Sequence, residues 1–142
     1  MRVICAALAE ERGLEPTQEI IKRLGGWPVV EGTDWDDGSF SWRDMVYKFR
    51  KEGFSVDYLI DFSINIDLKN STTRVIDLDQ ASLGLARVYL VKGLEDKLVR
   101  EYHTYQVDLA VIFGADKERA EKEMLEALEF EVKLANVSFK PT

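Results

Sequence analysis

Cysteine and histidine occur once each in this chain of 142 residues, as Cys5 and His103. A single thiol closes no internal disulfide, so Cys5 suits either a reducing compartment or a piece whose partner thiol lies elsewhere. With one imidazole, no Ser-His-Asp, Cys-His or two-histidine zinc pattern is laid out along the chain. A lone histidine on a helical stretch reads as a packing residue, because a general base needs a positioned partner. Positive charge is also short: 19 basic against 26 acidic residues leave a net charge of -7. That balance, with no Lys/Arg run, argues against nucleic acid or an anionic membrane surface as partner. No apolar run reaches 18 residues, so no membrane span is expected. Glycine-rich phosphate loops of the G-x-G-x-x-G or G-x-x-x-x-G-K-[ST] kind are missing too.

What is present is a globular composition, 46% hydrophobic and 32% charged, in a length that suits one domain. The opening Val3–Ala9 run is short for a signal-peptide core, and Ile4, Ala7 and Leu8 share a helical face ending near Gly13. Pro16 suits a first helical turn; Ile20, Ile21 and Leu24 form a stripe, and Gly25-Gly26 stops it. Trp27-Pro28-Val29 is expected to run extended. Trp27, Trp35 and Trp42 then bracket a polar loop, which their indoles should pin to the core; an aromatic platform for sugar or peptide is the alternative. The D-W-D-D-G run lacks the ligand alternation of a calcium loop. Ser41 precedes a short amphipathic helix carrying Met45, Val46 and Phe49.

From Val56 to Ile66 apolar and polar residues alternate with Leu59 the one exception, and Arg74, Ile76 and Leu78 continue the alternation past a polar loop. This predicts an antiparallel β-hairpin over about 56–66 and 73–79, with Ile64 opposite Ile76 and Phe62 opposite Leu78. Because a lone hairpin is marginal in water, helices are expected to cover its apolar face. The last third is helical. Leu94, Leu98, Tyr102, Tyr105, Leu109 and Ile112 make a stripe ending at Gly114. Asp116 caps a second helix whose inner face is Ala120, Met124, Leu128, Val132 and Ala135. The expected class is mainly α (α+β): a helical lobe with one antiparallel hairpin packed on helices.

The paired carboxylates Asp57/Asp61 and Asp77/Asp79 fall on the wet side of the alternation. No residue is nominated as catalytic, cofactor-binding or metal-binding. Two N-x-[ST] sequons, at Asn70 and Asn136, are candidate N-glycosylation sites, with Asn70 the better placed at the hairpin loop.

Four stretches, taken in order, carry a resemblance: Leu24-Gly25-Gly26-Trp27-Pro28-Val29; Trp35 and Trp42; Asp67 to Asn70; and Asp79-Gln80 with Leu83-Gly84-Leu85. Together they resemble the N-terminal region of the neprilysin and endothelin-converting-enzyme family of zinc metallopeptidases, across almost the whole chain. The resemblance implies a membrane-anchored ectoenzyme of two mainly helical lobes around a chamber, zinc and catalysis residing in a lobe that this chain lacks. This chain would be a single partial domain over 1–142, incomplete at both ends and inactive alone, contributing the cap that limits access to small peptides. Its partners would be the missing catalytic lobe and, for the parent, small peptide substrates. Zinc is implied for the full-length parent and no cofactor for this chain. Cys5 sits where the family carries a cysteine ahead of its G-W-P segment, which implies a disulfide to a partner outside this piece. An extracellular or plasma-membrane location follows from the same resemblance. A stand-alone, non-catalytic peptide-binding or interaction domain derived from that lobe is the alternative. After Leu85 the chain reads Ala86-Arg87-Val88-Tyr89-Leu90, where the family pattern has Pro-Ser-Arg and Tyr-Tyr-Leu, a difference of about two residues at an element boundary.

Overall fold

The computed structural model describes residues 12–138; Cys5 and the helix expected up to Gly13 fall largely outside that range. The order is α1 (Glu15–Leu24), α2 (Pro28–Glu31), a 3-10 turn (Gly32–Asp34), α3 (Trp42–Lys51), β1 (Ile60–Ile66), β2 (Arg74–Gln80), α4 (Arg87–Leu90), a 3-10 turn (Gly93–Glu95), α5 (Lys97–Ile112) and α6 (Lys117–Val137). Mainly helical with one antiparallel hairpin is the class observed, as the periodicities require.

Helix boundaries follow local chemistry. Pro16 stands in the first turn of α1, and the chain leaves that helix through Gly25 at φ 123°, a region that glycine enters without a Cβ clash. Ser41 caps α3 by accepting from the Asp44 amide, and Asp116 caps α6 by accepting from the Arg119 amide. Trp27-Pro28-Val29 does not run extended. Pro28, pre-set near helical φ, begins the one-turn helix α2, with the Val30 and Glu31 amides donating to the Trp27 carbonyl.

α5 and α6 form the antiparallel pair against which α2 and α4 pack, and two small cores lie along it. One gathers Val29, Val107, Ala110, Ala115 and Ala120, with Trp27, Val30 and Met124 packed against them. The other gathers Leu90, Val99, Leu128 and Ala135, with Leu83, Leu85, Tyr102 and Val132 alongside. The inner face of α6 is the one its periodicity marks. On α5 the buried residues are instead Val99, Val107 and Ala110, a face turned by roughly one residue, about 100°, from the expected stripe. Tyr102 and Leu109 are half-buried, while Leu98, Tyr105 and Ile112 stay exposed and Leu94 belongs to the preceding turn. Small and β-branched residues meeting the alanines of α6 permit a close approach that a Leu/Tyr/Ile stripe would hold apart.

The hairpin has the expected register, Ile64 opposite Ile76 and Phe62 opposite Leu78, with strands starting at Ile60 and Arg74. Among the described residues it meets a helix only at its edge, and its apolar face is left uncovered. Ile60, Phe62, Ile64, Ile66, Ile76 and Leu78 share one face and keep 43–67% of their surface. Arg50 of α3 donates to the Phe62 carbonyl and lies 5.9 Å from its ring, and the Ser82 amide donates to the Asp57 carbonyl at the hairpin base. Trp42 is likewise more than half exposed, so it does not pin the loop to the core.

Candidate functional site

The two motif-bearing segments are the places where sequence pattern and tertiary structure converge, and each turns on one long polar side chain from α6. In the first, Val29 is buried at 1% exposure. The Arg119 guanidinium donates to the Val29 carbonyl at 2.9 Å and to the Val30 carbonyl at 3.2 Å. Trp27 meets Phe113 edge-on at 5.8 Å, and its amide donates to the Glu31 carboxylate at 3.2 Å. A Cβ at Gly26 would collide with the Glu31 carboxylate, and one at Gly32 with the Arg119 guanidinium. Both glycines also hold positive φ, at 83° and 59°. Trp35 donates from Nε1 to the Gly25 carbonyl at 3.0 Å and packs on Phe40, so two of the three indoles do fasten this region.

In the second segment Leu83 and Leu85 enter the Leu90/Leu128 core, while the Gly84 amide between them donates to the Glu131 carboxylate. The Tyr102 hydroxyl is hydrogen-bonded to the same carboxylate, at the point that a Gly84 Cβ would need. Burial first, then the Glu131 charge and hydrogen bond, push the Tyr102 hydroxyl pKa above its ordinary value. Arg87 closes the segment by donating to the Ser138 carbonyl at 2.9 Å. Arg119 and Glu131 carried no signal in the sequence: each is one charge among many on an amphipathic helix, and only the fold aims it at a backbone 47 or more positions away.

The sequons differ in setting. Asn70 lies exposed in the hairpin loop, its Oδ1 accepting from the Thr72 amide at 3.2 Å and the Thr72 hydroxyl at 2.7 Å. Asn136 is exposed near the end of α6, its side-chain amide donating to the Val132 carbonyl at 2.9 Å. Cys5 lies outside the described residues.

Two of the carboxylates singled out for their spacing, Asp57 and Asp77, take structural roles. Asp57 accepts from the Ser55 hydroxyl, and hydrogen bonds from the Ser55 and then the Ser82 hydroxyl hold its pKa below the usual value. Asp77 accepts from the Asn65 amide at 2.8 Å across the strands. His103 stands half-buried with Nε2 3.2 Å from the Glu121 carbonyl. Among the described residues no group of three or more His, Cys, Asp or Glu side chains converges as a metal site, so the donor set present does not fit zinc. No helix among them is long and apolar enough to cross a membrane. Two grooves flank Trp35: one of about 650 Å³ walled by Trp27, Trp35 and Phe113, and one of about 610 Å³ walled by Trp35, Phe40 and Phe49.

This arrangement is that of a helical structural module, its glycines and buried carbonyls serving packing. The profile of peptidase family M13 matches residues 5–142. The chain is 54% identical over 133 residues to Neprilysin-2 of Drosophila melanogaster, covering 93% of this chain and 17% of that protein. It is 38% identical over 130 residues to Neprilysin-21 of Caenorhabditis elegans, covering 91% and 17% respectively. With Endothelin-converting enzyme 1 of Homo sapiens it shares 33% over 132 residues, covering 91% and 16%. The chain therefore belongs to peptidase family M13, as a neprilysin-like N-terminal region. It spans about 17% of the length of the curated relatives it matches.

Proposed function

We propose that this chain is the helical lobe that caps the active-site chamber of a neprilysin-like zinc metalloendopeptidase, forming one partial domain over 1–142. The observation that carries this reading is the use of the two family-marking segments. Gly26-Trp27-Pro28-Val29 and Leu83-Gly84-Leu85 close the two ends of the α5–α6 pair, their backbones held by Arg119 and Glu131. Zinc and its catalytic base would be supplied by the remaining lobe, the chain's principal partner, and peptides would be substrates of the whole enzyme. An extracellular setting, glycan on Asn70 or Asn136 and a disulfide from Cys5 to that remaining part complete the reading.

The test is a chimera in which this chain replaces the matching 133-residue stretch of Drosophila melanogaster Neprilysin-2. The chimera is expected to be secreted and to hydrolyse short peptides in a chelator-sensitive way, while the isolated chain hydrolyses none. Chelator-sensitive hydrolysis by the isolated chain, or a chimera that folds without peptidase activity, would overturn the proposal. The grooves beside Trp35 favour the second reading, a stand-alone peptide-binding domain. Saturable peptide binding to the isolated monomer, lost in Trp35→Ala, would support it.

A further inference from the structure

The hairpin presents a face that the described structure leaves open. Ile60, Phe62, Ile64 and Ile66 of β1 and Ile76 and Leu78 of β2 line that face, with Arg74 and Gln80 at its ends. The opposite face carries Asp61, Ser63, Asn65, Asp77 and Asp79, with Val75 its one apolar member. The segregation is the one a ribbon buried on one side requires. Yet Ile64, Ile76 and Leu78 are each more than 60% exposed, while Asp61 and Ser63 on the wet side are less exposed than they are. The six apolar side chains together expose roughly 600 Å², the upper end of the largest apolar patch found on ordinary monomers.

The surface of the whole chain sets the scale of what is missing. It amounts to 11066 Å². A compact monomer of 16.3 kDa has about 7,500 Å². Crediting the fifteen residues outside 12–138 with fully extended exposure, roughly 160 Å² each, still leaves an excess of about 1,200 Å². A second copy seated on the ribbon would cover only some 600 Å² of each chain, below the roughly 800 Å² per partner of a stable interface. It would also join two chains of charge -7. The curated relatives, by contrast, have more than 80% of their length outside the region matched here, ample to cover the whole excess.

We infer that the apolar face of the β1–β2 ribbon is the seat of one helix from the remainder of a family polypeptide. This rests on the reading under Proposed function and names the contact through which the two parts join. The dimensions fit. Two strands about 4.8 Å apart, with their side chains, offer a strip near 10 Å wide, the diameter of one helix. Seven residues at about 3.3 Å make a strip near 23 Å long, matching about four helical turns. The occupant presents an apolar stripe to Phe62, Ile64, Ile76 and Leu78. Arg50, already over the Phe62 ring, closes one flank of the seat.

The experiment uses the isolated chain and the Neprilysin-2 chimera side by side, with side-chain exposure read by hydroxyl-radical footprinting and the occupant mapped by a photo-crosslinking residue at position 76. In the chimera, Phe62, Ile64, Ile76 and Leu78 are expected to lose about tenfold in reactivity relative to the isolated chain. Crosslinks should fall at three- and four-residue spacing in one segment of the host. The pair Ile64→Lys with Ile76→Glu sets opposite charges face to face across the strands, so it should leave the circular dichroism of the isolated chain unchanged, both sites being exposed there, and cut secretion of the chimera about tenfold or more, as charge buried at an interface centre does. An active chimera in which the four side chains stay as reactive as in the isolated chain overturns this inference and leaves the capping role standing. Crosslinks to an extended segment overturn the helix. Concentration-dependent protection in the isolated chain, with dimer in the ultracentrifuge, assigns the face to a second copy. A chimera that folds without peptidase activity overturns the capping role and this inference with it.

Discussion

Gly84→Ala tests the reading of the second motif segment. An added Cβ would fall well inside 3.0 Å of the Tyr102 hydroxyl, closer than real Cβ atoms come, and the next atoms are Glu131 Oε1 at 3.1 Å and Tyr102 Cζ at 3.2 Å. Tyr102 is held from both sides, by the Glu131 carboxylate and by the Leu90/Leu128 core, so its ring gives way only by disturbing both. Forced overpacking costs about 1–3 kcal/mol, and weakening the Gly84 amide bond to a carboxylate adds to that. We expect a total near 2–3 kcal/mol, or about 6–10 °C in Tm for a chain of this size. The assay is thermal and urea unfolding of the chain in four forms: parent, Gly84→Ala, Tyr102→Phe and the double variant. Removing the hydroxyl leaves contacts of 3.1 and 3.2 Å, which a few tenths of an ångström of movement relieve. In the Tyr102→Phe background the alanine should therefore cost less than about 1 kcal/mol, a coupling of about 1–2 kcal/mol. Additive costs in the two backgrounds, or a Gly84→Ala variant as stable as the parent, would refute the reasoning.

Three further outcomes follow from the same contacts. Arg119→Lys keeps the charge but cannot donate to the Val29 and Val30 carbonyls together; it should cost about 1.5–3 kcal/mol and weaken the near-ultraviolet dichroism of Trp27, read in the same melts and spectra. Because the folded state raises the Tyr102 pKa above the ordinary tyrosine value of 10.0, the stabilisation is present below pH 10 and is lost as pH rises through the folded value. Denaturant midpoints of the parent should thus fall more steeply above pH 10 than those of Tyr102→Phe. In a secreted form the Asn70 sequon, exposed in the hairpin loop, should carry glycan in preference to Asn136, whose backbone lies within α6; peptide mass spectrometry after glycosidase treatment in heavy-oxygen water reads each site.

Much of this was legible locally. Alternation over Val56–Ile66 and Arg74–Leu78, broken only at Leu59 and Val75, specifies strand, partner and register, because a slip of one residue would turn every side chain to the other face. Ser41 and Asp116 announce their helices because a cap acts within three residues of itself. The inner face of α6 is equally plain, since its opposite face is mostly charged, with Phe130 and Val137 the exposed exceptions. The G-G-W-P and D-Q-x-x-L-G-L segments marked the family, which the match over residues 5–142 bears out.

The tertiary structure decided whatever depends on a neighbour. α5 carries two apolar stripes, and periodicity alone cannot choose between them; the alanines of α6 select the face with Val99, Val107 and Ala110 and leave Leu98, Tyr105 and Ile112 in water. Arg119 and Glu131 acquire their roles only when α6 comes alongside segments far away in sequence. Alternation determined that the hairpin would have a dry face, but not that anything in this chain would cover it. A side chain's periodicity is set by its own backbone, whereas burial is set by what packs against it, and for Ile64, Ile76 and Leu78 no described residue does so fully.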